Sequence, residues 1–268
     1  MNLSALFSRR ILMRHVLLAT AGVVACTGLV QAQTTGPRAY ANLAMVAEPQ
    51  TLDPMASTAD LVGTIMQHVY ETLYTFDANW KVVPMLAESL PKVSADGKSY
   101  SITLRKGVML HSGRELNAED VVASLARWME QSPRGKAVGK EVESIKAKGA
   151  LGIEIVLKQP YAPLISQLAL PSGMAAIMAK DSIATPLVNF VGTGPYKFKE
   201  RKPDQHLLLS RFDKYSARKE PASGYGGKRE ALIEELRFVP VPSANTRVEG
   251  ALAGQYDSAD LLPVEALS

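Results

Sequence analysis

Arg105-Lys106-Gly107-Val108-Met109-Leu110-His111-Ser112-Gly113-Arg114-Glu115-Leu116-Asn117-Ala118-Glu119-Asp120-Val121-Val122 leads from a strand, through a turn, into a helix. Ser112-Gly113 is a turn that permits positive φ. Asn117 can cap a helix, and Glu119 and Asp120 then fall in the first turn, where carboxylates favour the dipole. Val121, Val122, Leu125, Trp128 and Met129 supply that helix with one apolar face, and Pro133 and Gly135 are expected to end it. Upstream, Tyr100, Ile102 and Leu104 alternate with Ser99, Ser101 and Thr103, the pattern of a half-buried strand. Asp96-Gly97 before them predicts a hairpin with the preceding segment.

Outward from this block the chain reads as mixed α and β. Ala39 to Ala47 alternates loosely as a strand, and Pro49, Asp53 and Pro54 break it into an extended loop. Leu61, Ile65, Val69 and Leu73 recur every four residues and predict a helix ending near Leu73. Ile153 to Leu157 reads as a strand, followed by a Pro160 and Pro163 loop and a short apolar helix. Gly192-Thr193-Gly194-Pro195-Tyr196 has the outline of a phosphate loop, but Pro195 lacks an N–H and the next residues alternate as a strand. It reads as a turn entering a half-buried strand, with Tyr196 and Phe198 on one side and Lys197 and Lys199 on the other.

The first residues set the compartment. Arg9, Arg10 and Arg14 precede an apolar stretch, Val16 to Val30, too short to span a bilayer comfortably. With Val30-Gln31-Ala32 before a cut at Gln33, residues 1–32 read as a secretory leader and predict a periplasmic protein. A lipoprotein box at Val23-Val24-Ala25-Cys26 is the alternative, with Cys26 lipidated as a membrane anchor. Cleavage after Ala32 removes the chain's one cysteine, so disulfides, thiol nucleophiles and Cys-based metal sites are excluded from the mature part. The net charge of +4 owes three positives to the leader and gives no warrant for nucleic-acid binding. Between Lys197 and Arg229 ten basic and four acidic residues interleave with Phe212, Tyr215 and Tyr225, the composition of a solvated or partner-docking surface.

Enzyme signatures are missing. There is no G-x-S-x-G elbow and no H-E-x-x-H helix. His111 reads as a hydrogen-bonding residue in a turn, and His68, with only Glu71 at i+3, has no partner at zinc spacing. No catalytic residue, metal or cofactor is therefore assigned.

Several segments together carry a resemblance. Glu48-Pro49-Gln50-Thr51-Leu52-Asp53-Pro54, Tyr70-Glu71-Thr72-Leu73-Tyr74, Pro84-Met85-Leu86-Ala87-Glu88-Ser89, Asp96-Gly97-Lys98-Ser99-Tyr100, the run from Arg105 to Val122 and Gly192-Thr193-Gly194-Pro195-Tyr196 stand in one order. That ordered set resembles the extracytoplasmic solute-binding proteins of family 5, the dipeptide-, oligopeptide- and nickel-binding proteins of ABC transporters. One departure is small: Ser112 stands where the family commonly has an aspartate.

The resemblance implies an α/β, periplasmic-binding-protein-like fold of type II, with two lobes closing on a solute. Residues 33–268 would form the N-terminal lobe with its inserted subdomain; the second lobe and the C-terminal return are expected to be missing, leaving the pocket incomplete. The implied function is capture of a peptide-like solute and delivery to the permease subunits, by a protein monomeric when complete. A sugar, opine or metal chelate could replace the peptide, and a ligand-reporting sensory module or a secreted hydrolase are the other classes. On the near wall, Glu48, Gln50, Thr51 and Leu52 are the candidate ligand-binding residues, because extended backbone after a strand can offer N–H and C=O groups to a peptide. Glu48 could pair a ligand amine and Gln50 bond a ligand amide; Tyr74 is a further candidate wall residue. Glu48 capping local backbone and Leu52 filling the core is the competing reading.

Overall fold

Alternation makes β1 of Tyr40–Met45, but its hydrogen-bonding partners come from the far end of the chain. A computed structural model describes residues 39–263; the leader, its cleavage site and Cys26 lie outside them. After β1 come α1 (Asp60–Met66), β2 (Tyr74–Phe76), β3 (Val82–Pro84), β4 (Lys92–Val93), β5 (Ser99–Thr103), α2 (Ala118–Gln131) and α3 (Pro133–Glu141). Then follow β6 (Val142–Lys148), β7 (Gly152–Leu157), α4 (Leu164–Gln167), β8 (Tyr196–Lys202), β9 (His206–Arg211), β10 (Glu235–Pro240), α5 (Ala244–Leu252) and β11 (Ser258–Ala259). One sheet runs β11-β1-β10-β9-β8, another β4-β5-β7-β6, and β2 and β3 form a separate hairpin. Strand β1 is parallel to both β10 and β11, whereas β8, β9 and β10 are antiparallel.

The four-stranded sheet is built as the alternation demands. Tyr100 and Ile102 on β5 and Ile153, Ile155 and Leu157 on β7 are buried on one face, which α2 covers with Val121, Leu125 and Trp128. Each large apolar side chain so buried contributes roughly 1.5–3 kcal/mol. Trp128 also satisfies its indole N–H on the carbonyl of Gly173, at 2.9 Å. Gly97, at φ 72°, makes the turn between β4 and β5. Asn117 caps α2 through a reciprocal pair, its side chain accepting from the Asp120 N–H while Asp120 accepts from the Asn117 N–H. Asp120 also binds Arg114 and the Lys180 N–H, so this acid helps hold a second segment.

Two helix boundaries differ from expectation. The α1 helix stops at Met66, although Val69 and Leu73 are buried as their spacing predicts. The carbonyls of His68 and Val69 accept from Tyr196 and Gly194 N–H groups, so tertiary bonding to the 192–196 loop replaces the helical ladder. Pro133 does not merely end α2; it opens α3 at its first position, where proline's fixed φ and missing N–H cost nothing.

The 192–196 loop packs so closely on residues 68–69 that only glycine fits: a Cβ on Gly192 would stand 2.1 Å from the Val69 carbonyl oxygen, and one on Gly194 2.3 Å from that of His68. His111 clamps the loop from the other side. Its Nδ1 accepts from the Gly192 N–H at 3.2 Å and its Nε2–H donates to the Gly194 carbonyl at 2.9 Å. This arrangement requires the neutral ring, and burial lowers the His111 pKa to about 4. A depressed histidine pKa means that the unfolded chain binds the proton first. Stability is therefore full above about pH 6.5 and falls as pH drops toward 4, by up to about 3 kcal/mol from this residue. His68, whose pKa burial also lowers, acts in the same direction. Urea unfolding between pH 7 and pH 4 should show this loss, and His111→Gln, which retains a donor and an acceptor but does not titrate, should reduce it to the part that His68 contributes.

Candidate functional site

Because β11, β1 and β10 are parallel neighbours, their chain exits gather along one edge of the sheet. In open α/β sheets ligands bind outside the carboxyl ends of the parallel strands. The exits here are residues 46–52 after β1, 241–243 after β10 and 260–261 after β11. Main-chain bonds align them: the Val241 N–H donates to the Met45 carbonyl at 2.8 Å and the Asp260 N–H to that of Ala44 at 2.9 Å.

Side chains then fix each exit. Arg201, at the end of β8, donates from Nε to a Glu48 oxygen at 2.8 Å and from Nη2 to the Pro49 carbonyl at 2.7 Å. The other Glu48 oxygen accepts from the Asp204 N–H at 2.9 Å. These bonds, the Asp204 N–H first and Arg201 next, hold the Glu48 pKa below the usual carboxylate value. The Glu48 carboxylate is thus engaged in tying the β1 exit to the β8–β9 turn. Gln50 is exposed, and the Thr51 hydroxyl accepts from the Asp53 N–H at 3.1 Å. Leu52 is buried, and beyond it Asp53 pairs with Arg127 of α2 at 2.5 Å, both side chains buried. Arg127 also donates to the Ala184 carbonyl.

Of the residues singled out from sequence, Glu48, Gln50, Thr51 and Leu52 lie together in the β1 exit. Tyr74 is fully buried in β2, with no hydrogen-bond partner for its hydroxyl, and burial pushes its pKa up. Arg201 and Arg247, which hold the edge, carry no motif that spacing could reveal. Arg201 sits among the basic residues read as surface, and Arg247 sits on a helix of weak amphipathic pattern. A cavity of about 10 Å³ lies against Glu48 and Pro49, bounded on its other side by Arg201 and Phe238. Larger open clefts, each about 460 Å³, lie beside Tyr225 and Arg229 and beside Ser112 and Phe190. Among the described residues, no cluster of three or more His, Cys, Asp or Glu side chains could hold a metal ion. The exit carbonyl of Pro49 is taken up by Arg201, and the polar side chain that the edge leaves exposed is the amide of Gln50.

Residues 81–268 match the profile of the bacterial extracellular solute-binding proteins, family 5 middle region. The chain is 30% identical over 257 residues to a probable peptide ABC transporter periplasmic-binding protein of Sinorhizobium fredii, covering 93% of the chain and 48% of that protein. It is 29% identical over 248 residues to a glutathione-binding protein of Pectobacterium atrosepticum, covering 89% and 46%. Among solved structures it is similar to a periplasmic binding protein of A. tumefaciens R10 in complex with agropinic acid, with TM-score 0.71, 26% identity, and coverage of 84% of this chain and 44% of that one. A dipeptide-binding protein of Pseudoalteromonas in complex with Met-Leu shares the fold at TM-score 0.74 and 23% identity, covering 85% and 48%. The fold is that of type II periplasmic binding proteins, and the chain spans less than half the length of each of these relatives.

The anchor of the β1 exit can be tested by charge removal. Arg127→Met leaves Asp53 buried without its counter-ion and should cost about 3–5 kcal/mol in denaturant unfolding. The double variant with Asp53→Asn should lose clearly less than the sum of the single losses, since the stranded charge is gone.

Proposed function

Because the chain belongs to the bacterial extracellular solute-binding proteins of family 5, we propose that it captures a peptide-like solute outside the cytoplasmic membrane and presents it to the permease of an ATP-driven transporter. The observation that carries this reading is the edge where β1, β10 and β11 end, with the exposed Gln50 following the Glu48-Pro49 segment that Arg201 holds in place. The exposed Gln50 side chain, an amide with both donor and acceptor, suits a solute that carries peptide groups of its own. The relatives named for peptide and glutathione bind solutes of that class, which supports the same class here.

The site we propose is the β1 exit, with Gln50 and Thr51 as contacts from side chain and backbone. Glu48 serves it through Arg201 and Asp204, and Leu52 by filling the core beneath. A solute amine would reach only the outer face of a Glu48 carboxylate that already has two partners. Tyr74 acts at a distance, as packing. Residues 1–32 direct export in this reading, and residues 33–268 supply one lobe with the β4-β5-β7-β6 layer as its inserted part. Capture leaves the solute chemically unchanged; the two described imidazoles nearest the core, His68 and His111, are occupied with backbone groups.

A panel of di- and tripeptides including Met-Leu and glutathione tests the proposal. Saturable binding of at least one of these solutes, followed by calorimetry, is expected. Solute in hundredfold excess over its dissociation constant should stabilise the fold by about 2.7 kcal/mol, seen as a raised melting temperature. The solute should be recovered intact by mass spectrometry. Persistent turnover by highly purified protein, abolished by replacing one carboxylate, would contradict capture and favour a hydrolase.

A further inference from the structure

Arg247 lies on the inner face of α5 with its side chain buried. Its Nε donates to the Asp260 carbonyl at 2.9 Å, Nη1 to those of Val241 at 2.7 Å and Pro242 at 3.0 Å, and Nη2 to that of Leu261 at 3.1 Å. All four acceptors are main-chain carbonyls, and they belong to the exits of β10 and β11. A buried charge is costly unless hydrogen bonds satisfy it, and here the fork of five donors spends four on these two segments.

The position of those acceptors is what gives the residue a role beyond packing. Val241 and Asp260 are the residues whose N–H groups continue the ladders onto Met45 and Ala44 of β1. Each of these two peptide segments is thus held toward β1 by its N–H and toward Arg247 by its C=O. Next to them Leu261 has φ 45°, a left-handed conformation that a leucine adopts at a cost, and the residue is 72% exposed. The Arg247 bond to its carbonyl holds it there.

We propose that Arg247 is a positioning residue for solute recognition: it locks the exits of β10 and β11 into one frame with β1 before solute arrives, and holds Leu261 outward as an apolar contact for the solute. The proposal rests on the reading of this edge as the solute wall. Preorganisation of this kind raises affinity by removing the ordering cost from the binding step. Lysine would keep the charge but cannot reproduce the planar fork.

The test compares Arg247→Lys with Arg218→Lys. Arg218 is also buried and donates to the carbonyls of Met85, Ala87 and Glu88, away from the strand exits. In Arg247→Lys, native-state hydrogen exchange at the Val241 and Asp260 amides should accelerate at least about tenfold relative to amides of β5 and β7. Affinity for glutathione or Met-Leu should fall about tenfold, while Arg218→Lys, at a similar loss of melting temperature, stays within about twofold of the parent. Unchanged exchange at the two edge amides, or equal loss of affinity in both variants, would overturn the proposal. If Arg247→Lys does not fold, Leu261→Gly decides: it relieves the positive φ and removes the contact, so affinity should drop with no loss of melting temperature, and undiminished affinity refutes the role. A parent protein that binds neither solute argues against the peptide-capture reading, and the exchange ratio still judges the positioning role.

Discussion

The six-residue parallel pairing of Tyr40–Met45 with Glu235–Pro240 is the constraint on which the rest of the structure depends. Parallel strands cannot be joined by a tight turn; the chain must travel back to the same end before it can pair again. Here the intervening chain does so by building the β2–β3 hairpin, the β4-β5-β7-β6 sheet with its covering helices, and the β8–β9 hairpin that lies beside β10. Parallel alignment has a second consequence: the exits of β1, β10 and β11 point the same way, and the solute wall we propose rests on that topology.

Holding such an edge requires donors, because exits from a sheet leave carbonyls that the ladder no longer satisfies. Arginine meets this need at several places in the molecule. Arg201 reaches Glu48 and Pro49, Arg247 reaches four carbonyls, and Arg218 does the same for residues 85–88. A guanidinium presents its N–H groups in a rigid plane, so one side chain fixes several peptide groups at once for the entropy of ordering one residue. Much of the basic stretch between Lys197 and Arg229 serves such internal ties. Lys199 pairs with Glu235, Arg211 with Asp213, and Arg218 with Glu220, which reduces the part free to act as a docking surface.

Local structure was legible where a local rule governs it. Asp96-Gly97, Asn117 with Asp120, and the alternation from Ser99 each specify their own turn, cap or strand, and each forms. The run Gly192 to Tyr196 was readable as a turn entering a strand, though not the partner that makes both glycines necessary. Strand β6 escaped notice because its residues Val142–Lys148 mix charge with half-buried aliphatic side chains, and pairing with β7 holds it in place. The end of α1 is not legible from the four-residue spacing, because bonds to the 192–196 loop, more than a hundred residues away, outcompete another helical turn. For the site, the loop from Glu48 to Leu52 could be picked out as extended backbone after a strand. The partners of Glu48 lie more than a hundred residues away, and the bonds of Arg247, though made to nearby residues, go to main-chain carbonyls that no side-chain periodicity encodes.

Amide chemical shifts in a titration with the solute that binds best test the central claim, that the parallel strand exits form the solute-facing wall. The account predicts that perturbations concentrate at Gln50, Thr51, Ser243, Asp260 and Leu261, with little change around Tyr225, Arg229 or the β4-β5-β7-β6 sheet. Saturable shifts centred on the cleft beside His68, Tyr225 and Arg229, with the exits silent, would contradict it.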